Sequence, residues 1–355
     1  MTIRKIYDSG RFISAFNDEN GDYIRTGILD ENGNDTGIDP MFADFPQLLD
    51  IGIMGHCQHG LSGKCKELGI QCYQSGAYID MPNMPFEDFK TIISQCEGRT
   101  FQVALGGRGD SEMHEDFENI LSVCRHYGIV PNTTTSGYGL DNEKVKIIKR
   151  YCGAVAVSWY KTEYTYKAIN MLLDAGVTTN IHFVLGQNSI DEAIDILSKD
   201  LIPKGISRFI FLLHKPVGMG DKNRILRADD IRIKKFFDLL SDSYIAERTG
   251  FDSCLVPGII KNCINIMPES FDACEAGRFS AYIGADMMMS PCSFDRQNKV
   301  SMSLKEYTIK EVWDSPEFSK LREFFEKSCQ GCYYRSNCLG GCPYYPEIRL
   351  CKEGV

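Results

Sequence analysis

From Leu49 to Tyr244 the chain alternates short runs of strand period with longer runs of helix period. This alternation limits the possible folds more than any other feature of its 355 residues. LDIGIM (49–54) reads as a first strand, followed by a long Gly- and Cys-bearing loop through Gly76. Helices are then predicted over 85–96, 113–127, 142–152, 165–176, 190–201 and 228–244, with strands over 101–105, 129–135, 154–159, 178–185 and 207–214. Strands and helices alternating at this spacing imply right-handed crossovers and a parallel sheet. Six βα units fall short of a closed eight-stranded barrel. An open doubly wound sheet or a partial barrel is therefore expected, and both place their chemistry at the carboxyl ends of the strands.

The flanks differ from this region. Residues 1–48 are polar and punctuated by the turn signals Asn20-Gly21, Asn32-Gly33 and Asp39-Pro40, while RFISAF and DYIRTGIL suggest a small hairpin or an extended arm. The expected organisation is an N-terminal extension (1–48), an α/β domain (49–245) and a cysteine-rich C-terminal domain (246–355).

Fifteen cysteines set the chemistry. Met1-Thr2-Ile3-Arg4-Lys5 runs into polar sequence rather than an apolar leader, so a disulfide framework is not expected. The expected location is a reducing one, the cytoplasm, where clustered thiols serve metal or redox sites. No run approaches the 18 or so apolar residues that span a bilayer, and a net charge of -9 without a basic run excludes a nucleic-acid footprint. Neither membrane nor nucleic acid is an expected partner.

The densest set is Cys329, Cys332, Cys338, Cys342 and Cys351; the loop QGCYYRSNCLGGCP that carries it has no apolar period, so ligation rather than packing explains where its sulfurs sit. Zinc knuckles use similar CxxC pairs. The number of candidate thiolates, with Cys57, Cys65 and Cys72 in the loop after the first strand, favours iron-sulfur. Cys96, Cys124 and Cys152 fall on apolar helix faces and read as core. His56 and His59, beside Cys57, read as solvent-facing or hydrogen-bonding groups rather than ligands.

Together, a first strand leading into a three-cysteine loop that ends in Cys72-Tyr73, a second strand ending in Gly106-Gly107, and the terminal cysteines resemble the radical S-adenosylmethionine (SAM) superfamily, over roughly residues 49–355. The set Cys274, Cys292, Cys329, Cys332, Cys338, Cys342 and Cys351 is similar to the pattern of its SPASM subgroup. The resemblance implies an α/β fold, a partial (β/α)6 TIM-type barrel with a C-terminal iron-sulfur domain. It implies three 4Fe-4S clusters: one on Cys57, Cys65 and Cys72 with an iron left open to SAM, and two auxiliary ones. Cys329, Cys332, Cys338 and Cys351 would hold one of these. Cys274, Cys292 and Cys342 would hold the other, with a fourth ligand from Cys254 or Cys263, of which Cys254 is favoured.

The first loop departs from the family, with seven and then six residues between its cysteines instead of three and then two. The glycine motif departs as well: LGGRGD presents Gly106, Gly107, Arg108 and Asp110 where relatives carry a GGEP-type motif that meets the SAM amino group. Further SAM contacts implied are Thr134, Ser136 and Ser158 at strand ends, and Leu185 and Tyr73 near adenine. Met287 stands where relatives have a turn glycine.

The implied activity is reductive cleavage of SAM to a 5'-deoxyadenosyl radical that modifies a peptide or protein substrate, as in ribosomal natural product maturation, with a thioether crosslink as one plausible product. The implied reductant is a flavodoxin or ferredoxin. Residues 1–48 are too short and too poorly patterned for a winged-helix leader-binding domain. Alternatives are a formylglycine-type sulfatase maturase, a small-molecule radical SAM enzyme, or a non-catalytic iron-sulfur or zinc protein. Tyr160, His182, His214 and Lys215 lie near strand ends as further candidates.

Overall fold

The computed structural model describes residues 3–263, 267, 270–295 and 300–351. In chain order, a three-stranded antiparallel sheet, β1 (Ile3–Asp8), β2 (Phe12–Asn17) and β3 (Tyr23–Arg25), precedes the barrel strand β4 (Leu48–Ile51). The loop after β4 contains two short helices, α1 (Gln58–Leu61) and α2 (Lys64–Glu67). Five βα repeats follow: α3 (Phe86–Ser94) and β5 (Gln102–Leu105), α4 (Phe117–His126) and β6 (Val130–Thr135), α5 (Asn142–Tyr151) and β7 (Val155–Ser158), α6 (Glu163–Asp174) and β8 (Thr179–Leu185), α7 (Ile190–Ser198) and β9 (Arg208–Leu213). The helix expected over 228–244 is two helices, α8 (Ile231–Leu240) and α9 (Ser243–Arg248), because Asp242 turns to cap the second through the N–H groups of Tyr244 and Ile245.

Strands β4 to β9 pair in parallel in sequence order. Alternation along each strand divides the sheet faces. Leu49, Ile51, Val103, Leu105, Val157, Ile181, Phe183 and Phe211 pack into the core under the helices, which supply Phe89, Ile92, Leu121, Leu172 and Phe236. Burying each such side chain contributes about 1.5–3 kcal/mol. The residues between them, Asp50, Asn132, Thr134, Ser158, Asn180 and His182, take the other face, and these polar groups line the barrel lumen.

The sheet continues past residue 245. β10 (Thr249–Phe251) joins β9 in parallel. After α10 (Val256–Asn262), strand β11 (Ser280–Ile283) joins β4 in parallel, and β12 (Met288–Ser290) and β13 (Met302–Ser303) extend that edge as antiparallel partners. The result is a ten-stranded mixed sheet in the order β10-β9-β8-β7-β6-β5-β4-β11-β12-β13. The chain ends in α11 (Ile309–Trp313), α12 (Pro316–Lys327), α13 (Arg335–Cys338) and the cysteine-bearing turns.

The small N-terminal sheet lies at the amino ends of the barrel strands. Arg4 donates to the carbonyl of Phe101 at 2.7 Å, just before β5, and Phe16 stacks on Phe101 at 5.5 Å. Arg25 pairs with Asp272 at 2.6 Å, and the fully buried Arg278 pairs with Asp39 at 2.7 Å, tying the extension to the segment around Cys274. The opposite rim, where the strands end, is left to the cysteine loop and the C-terminal hairpin.

Candidate active site and thiol clusters

The extra residues of the first cysteine loop are spent on α1 and α2. Cys57 caps α1, its Sγ accepting from the Gly60 N–H at 3.3 Å, and the Cys72 Sγ accepts from the Gly76 N–H at 3.4 Å. A methyl group on Gly76 would stand 3.5 Å from the Cys57 sulfur and 3.6 Å from the Cys72 sulfur, so both border one space that glycine leaves open. Cys65, in α2, faces the same region: after burial, the charges of Cys57, Cys72 and then Asp110 push its thiol up to about 12. Burial likewise pushes the Cys57 thiol up to about 11. Such thiols keep their protons at neutral pH, and a bound cation would compensate the charge of the thiolates.

His59 is buried rather than solvent-facing. Its Nδ1 lies 2.9 Å from the Cys65 sulfur and its Nε2 lies 2.6 Å from the Tyr164 hydroxyl, while the ring stacks on Tyr160 at 5.4 Å. Burial, aided by Lys64, lowers its pKa to about 4, so the ring is neutral at pH 7.

Three glycines lock this loop to its surroundings. A Cβ on Gly60 would meet the Gly76 carbonyl at 2.3 Å, one on Gly109 the His56 carbonyl at 2.4 Å, and one on Gly218 the Tyr73 carbonyl at 2.3 Å. The loop after β9 adds hydrogen bonds: Met219 N–H to the Cys72 carbonyl at 2.9 Å and Asp221 N–H to Gln71 Oε1 at 2.7 Å. Gly218 also has φ +62, where a Cβ costs roughly 1–2 kcal/mol before any clash. Gly218→Ala is therefore expected to displace Cys72, lowering both the thermal midpoint and the iron bound after reconstitution, as read by calorimetry and iron assay; unchanged iron content refutes the coupling.

The glycine turn after β5 stands beside this loop. Gly107 has φ +90, and a Cβ there would lie 3.2 Å from both Gly52 Cα and the Tyr282 hydroxyl, so only glycine fits without a shift. Arg108 clips the loop borders together, donating to the carbonyls of Gly55 at 2.9 Å and Gln74 at 3.4 Å. Both oxygens of Asp110 are held by Ser136, through its N–H at 2.7 Å and its Oγ at 2.6 Å. Burial raises Asp110 to about 6. Thr134 and Ser158 face the lumen, and Ser158 sits in register with His182. Leu185 is fully buried against the helix layer, so only its backbone borders the mouth. Tyr73 is half-buried, its ring 4.7 Å from that of Phe294 in the C-terminal segment.

The lumen holds groups without a sequence motif. Asp50 lies below the Gly106 turn, its Oδ1 3.5 Å from where a Gly106 Cβ would be, and burial alone raises it to about 7. His182 is pushed down to about 4 by burial. Because the unfolded chain takes that proton at about 6.5, stability is lost as the pH falls from about 6.5 toward 4, by up to about 1.4 kcal/mol per pH unit. His182→Gln is expected to flatten part of this slope in metal-free thermal unfolding; an unaltered slope would remove His182 as its cause.

A cavity at the rim joins these parts to the hairpin, lined by Gln74, Arg108, Tyr282, Asp286, Ser290 and Asp295 among others.

Two further thiol groups lie in the C-terminal segment. Cys254, in the turn after β10, shares a side-chain hydrogen bond with Cys342, which together with burial pushes its thiol well up. The charge of Cys254 also raises Cys274 and, with Cys274, raises Cys292, so these four face one another. Cys263 is elsewhere, at the far end of α10, its sulfur 3.5 Å from the Phe237 carbonyl. Cys329, Cys332, Cys338 and Cys351 line a single cavity, and after burial the charges of the other three raise Cys338 to about 11. Among the described residues no three His, Cys, Asp or Glu side chains stand close enough to share one metal ion. Cys57 and Cys72 border the space beside Gly76, and Cys329, Cys332, Cys338 and Cys351 border one cavity, donor sets that suit a multi-iron cluster with one thiolate per iron. Cys96 and Cys124 are fully buried in the helix-facing core and Cys152 packs against it, away from all three groups.

Residues 274–333 match the SPASM family, an iron-sulfur cluster-binding domain. Among solved structures, the chain is similar to Streptococcus suis SuiB bound to precursor peptide SuiA, with TM-score 0.72 and 17% identity over 99% of this chain and 98% of that one. SuiB bound to S-adenosylmethionine gives TM-score 0.67 and 20% identity over 88% of this chain and 78% of that one. Native anSMEcpe with bound AdoMet and Cp18Cys peptide gives 0.60 and 15% over 86% and 91%. At these identities the likeness is one of fold: a TIM-type partial barrel followed by a SPASM domain.

Proposed function

We propose, for a chain that joins a SPASM domain to a partial TIM-type barrel, that it is a radical SAM enzyme acting on a peptide. What supports this reading is that Cys57 and Cys72 border one space beside Gly76 while their charges and that of Asp110 act on Cys65, in the loop after β4. Cys57, Cys65 and Cys72 would hold a 4Fe-4S cluster, which when bound would supply the one-electron reduction that cleaves SAM.

The chain's own residues bind, orient and exclude water. Gly106 and Gly107 let a ligand backbone approach closely, and Asp110, fixed by Ser136, presents a carboxylate to an ammonium group. Thr134 and Ser158 offer hydroxyls to ribose or carboxylate oxygens. Tyr160, stacked on His59, and Tyr164, edge-on to it, wall the Cys65 side and restrict water there. The rim cavity between Arg108 and the hairpin is the entry for substrate. A peptide substrate is supported by solved relatives of the same fold that hold precursor peptide SuiA and Cp18Cys peptide.

In this proposal the SPASM domain holds two further 4Fe-4S clusters, one on Cys254, Cys274, Cys292 and Cys342 and one on Cys329, Cys332, Cys338 and Cys351, giving three in all. A flavodoxin or ferredoxin is the reductant. The product is a crosslink within a ribosomally made peptide, with a thioether as one candidate. Anaerobic reconstitution followed by SAM and dithionite tests the core of the proposal: 5'-deoxyadenosine is expected, and its absence from a fully loaded protein overturns it.

A further inference from the structure

Lys215, just past the end of β9, is a buried cation that the radical chemistry does not use. Its Nζ donates to Asp252 Oδ2 at 2.6 Å and to the Leu213 carbonyl at 2.9 Å, and stands 4.4 Å from the centre of the Phe294 ring. Asp252 lies two residues before Cys254 and Phe294 two residues after Cys292, so this ammonium is clamped between the two segments that bring those thiols together. Burial works against a charged lysine, and the carboxylate of Asp252 at 2.6 Å supplies the ion pair that keeps it charged. A buried ion pair is weak support for stability, since apolar residues of similar volume often serve as well. Its position beside one thiol group suggests another use.

We propose that Lys215 is a fixed charge that raises the reduction potential of the cluster held by Cys254, Cys274, Cys292 and Cys342, with Asp252 as its positioning residue. This rests on the SPASM clusters proposed above. Reducing a thiolate-bound cluster adds negative charge, and a cation in a poorly screened interior stabilises that form more than the oxidised one. The Asp252 carboxylate acts in the opposite sense. Its Oδ1 is buried with no hydrogen-bond partner among the described residues, so its charge is incompletely compensated there. The expected effect of removing either charge is about tenfold in the reduction equilibrium, or 59 mV for one electron.

The test uses the full chain with Cys57, Cys65 and Cys72 replaced by Ala, reconstituted so that only auxiliary signals remain, in an EPR-monitored redox titration. Lys215→Met is expected to move one of the two couples to lower potential by about tenfold. Asp252→Asn is expected to move the same couple upward, while the second couple stays put and Lys215→Arg matches the parent. If Lys215→Met loses its cluster, the upward shift in Asp252→Asn against an unmoved couple in Lys215→Arg still decides. An unmoved couple with full iron content, or shifts of the same sign for both charge removals, overturns the proposal. A parent that binds no auxiliary iron overturns the cluster assignment instead, which iron and sulfide analysis distinguishes.

Discussion

Replacing Cys57, Cys65 and Cys72 together with alanine is expected to reduce 5'-deoxyadenosine formation to background and to lower bound iron by about a third, from about twelve atoms to about eight per chain. The argument is geometric. Two of these sulfurs border the space beside Gly76, and their charges act on the third, whose sulfur lies 2.9 Å from His59 Nδ1. Seven and six intervening residues separate thiols that must meet at one cube, yet loop closure grows only slowly more costly with length. Here the additional residues are helical, and Gly60, Gly109 and Gly218 allow the backbone contacts that hold the loop in place. Burial raises the thiols of Cys57 and Cys65, so leaving either in place without the cube leaves protonated sulfur and no electron donor. Continued SAM cleavage in the triple variant, with eight irons retained, would place the radical chemistry elsewhere on the chain.

The six βα strands could be read from the sequence because their core faces alternate with polar lumen positions: Ile181 and Phe183 on one side of β8, Asn180 and His182 on the other. The same parity places the Leu185 side chain with Ile181 and Phe183, against the helices. Strands β11 to β13 were not legible. They have two to four residues each and acquire their conformation by pairing onto β4. Met287 shows a different limit. Its identity suggests an altered hairpin turn, yet it adopts φ 65, the conformation a glycine would take. A non-glycine residue pays roughly 1–2 kcal/mol there. Its side chain is only 3% exposed, and burial worth about 1.5–3 kcal/mol offsets that strain, so the turn survives the loss of glycine. His59, Asp50, Lys215 and Asp252 belong to no motif, and only the meeting of distant segments gives them their surroundings.

Cys254→Ala is expected to remove a whole auxiliary cluster, about four irons, whereas Cys263→Ala leaves iron content unchanged. Sequence alone offers both as the missing ligand, since nine positions separate them and neither sits in a CxxC pair. The helix α10 between them decides the matter: at 1.5 Å of rise per residue its seven residues hold the two sulfurs on the order of 10 Å apart. Only Cys254 faces Cys342, Cys274 and Cys292, while Cys263 donates to the Phe237 carbonyl and is raised by burial among α8 residues. Losing Cys254 also leaves Lys215 and Asp252 beside an incomplete donor set of three thiols, so partial occupancy with altered EPR signals is expected before complete loss. Cys263→Ala removes a half-buried thiol from the α8–α10 contact and should cost stability of about 1 kcal/mol at most, visible in denaturant midpoints but not in iron. Equal iron loss in both variants would mean that the cluster depends on the packing of α10 rather than on the Cys254 sulfur, and cadmium or selenocysteine substitution at residue 254 would then separate ligation from packing.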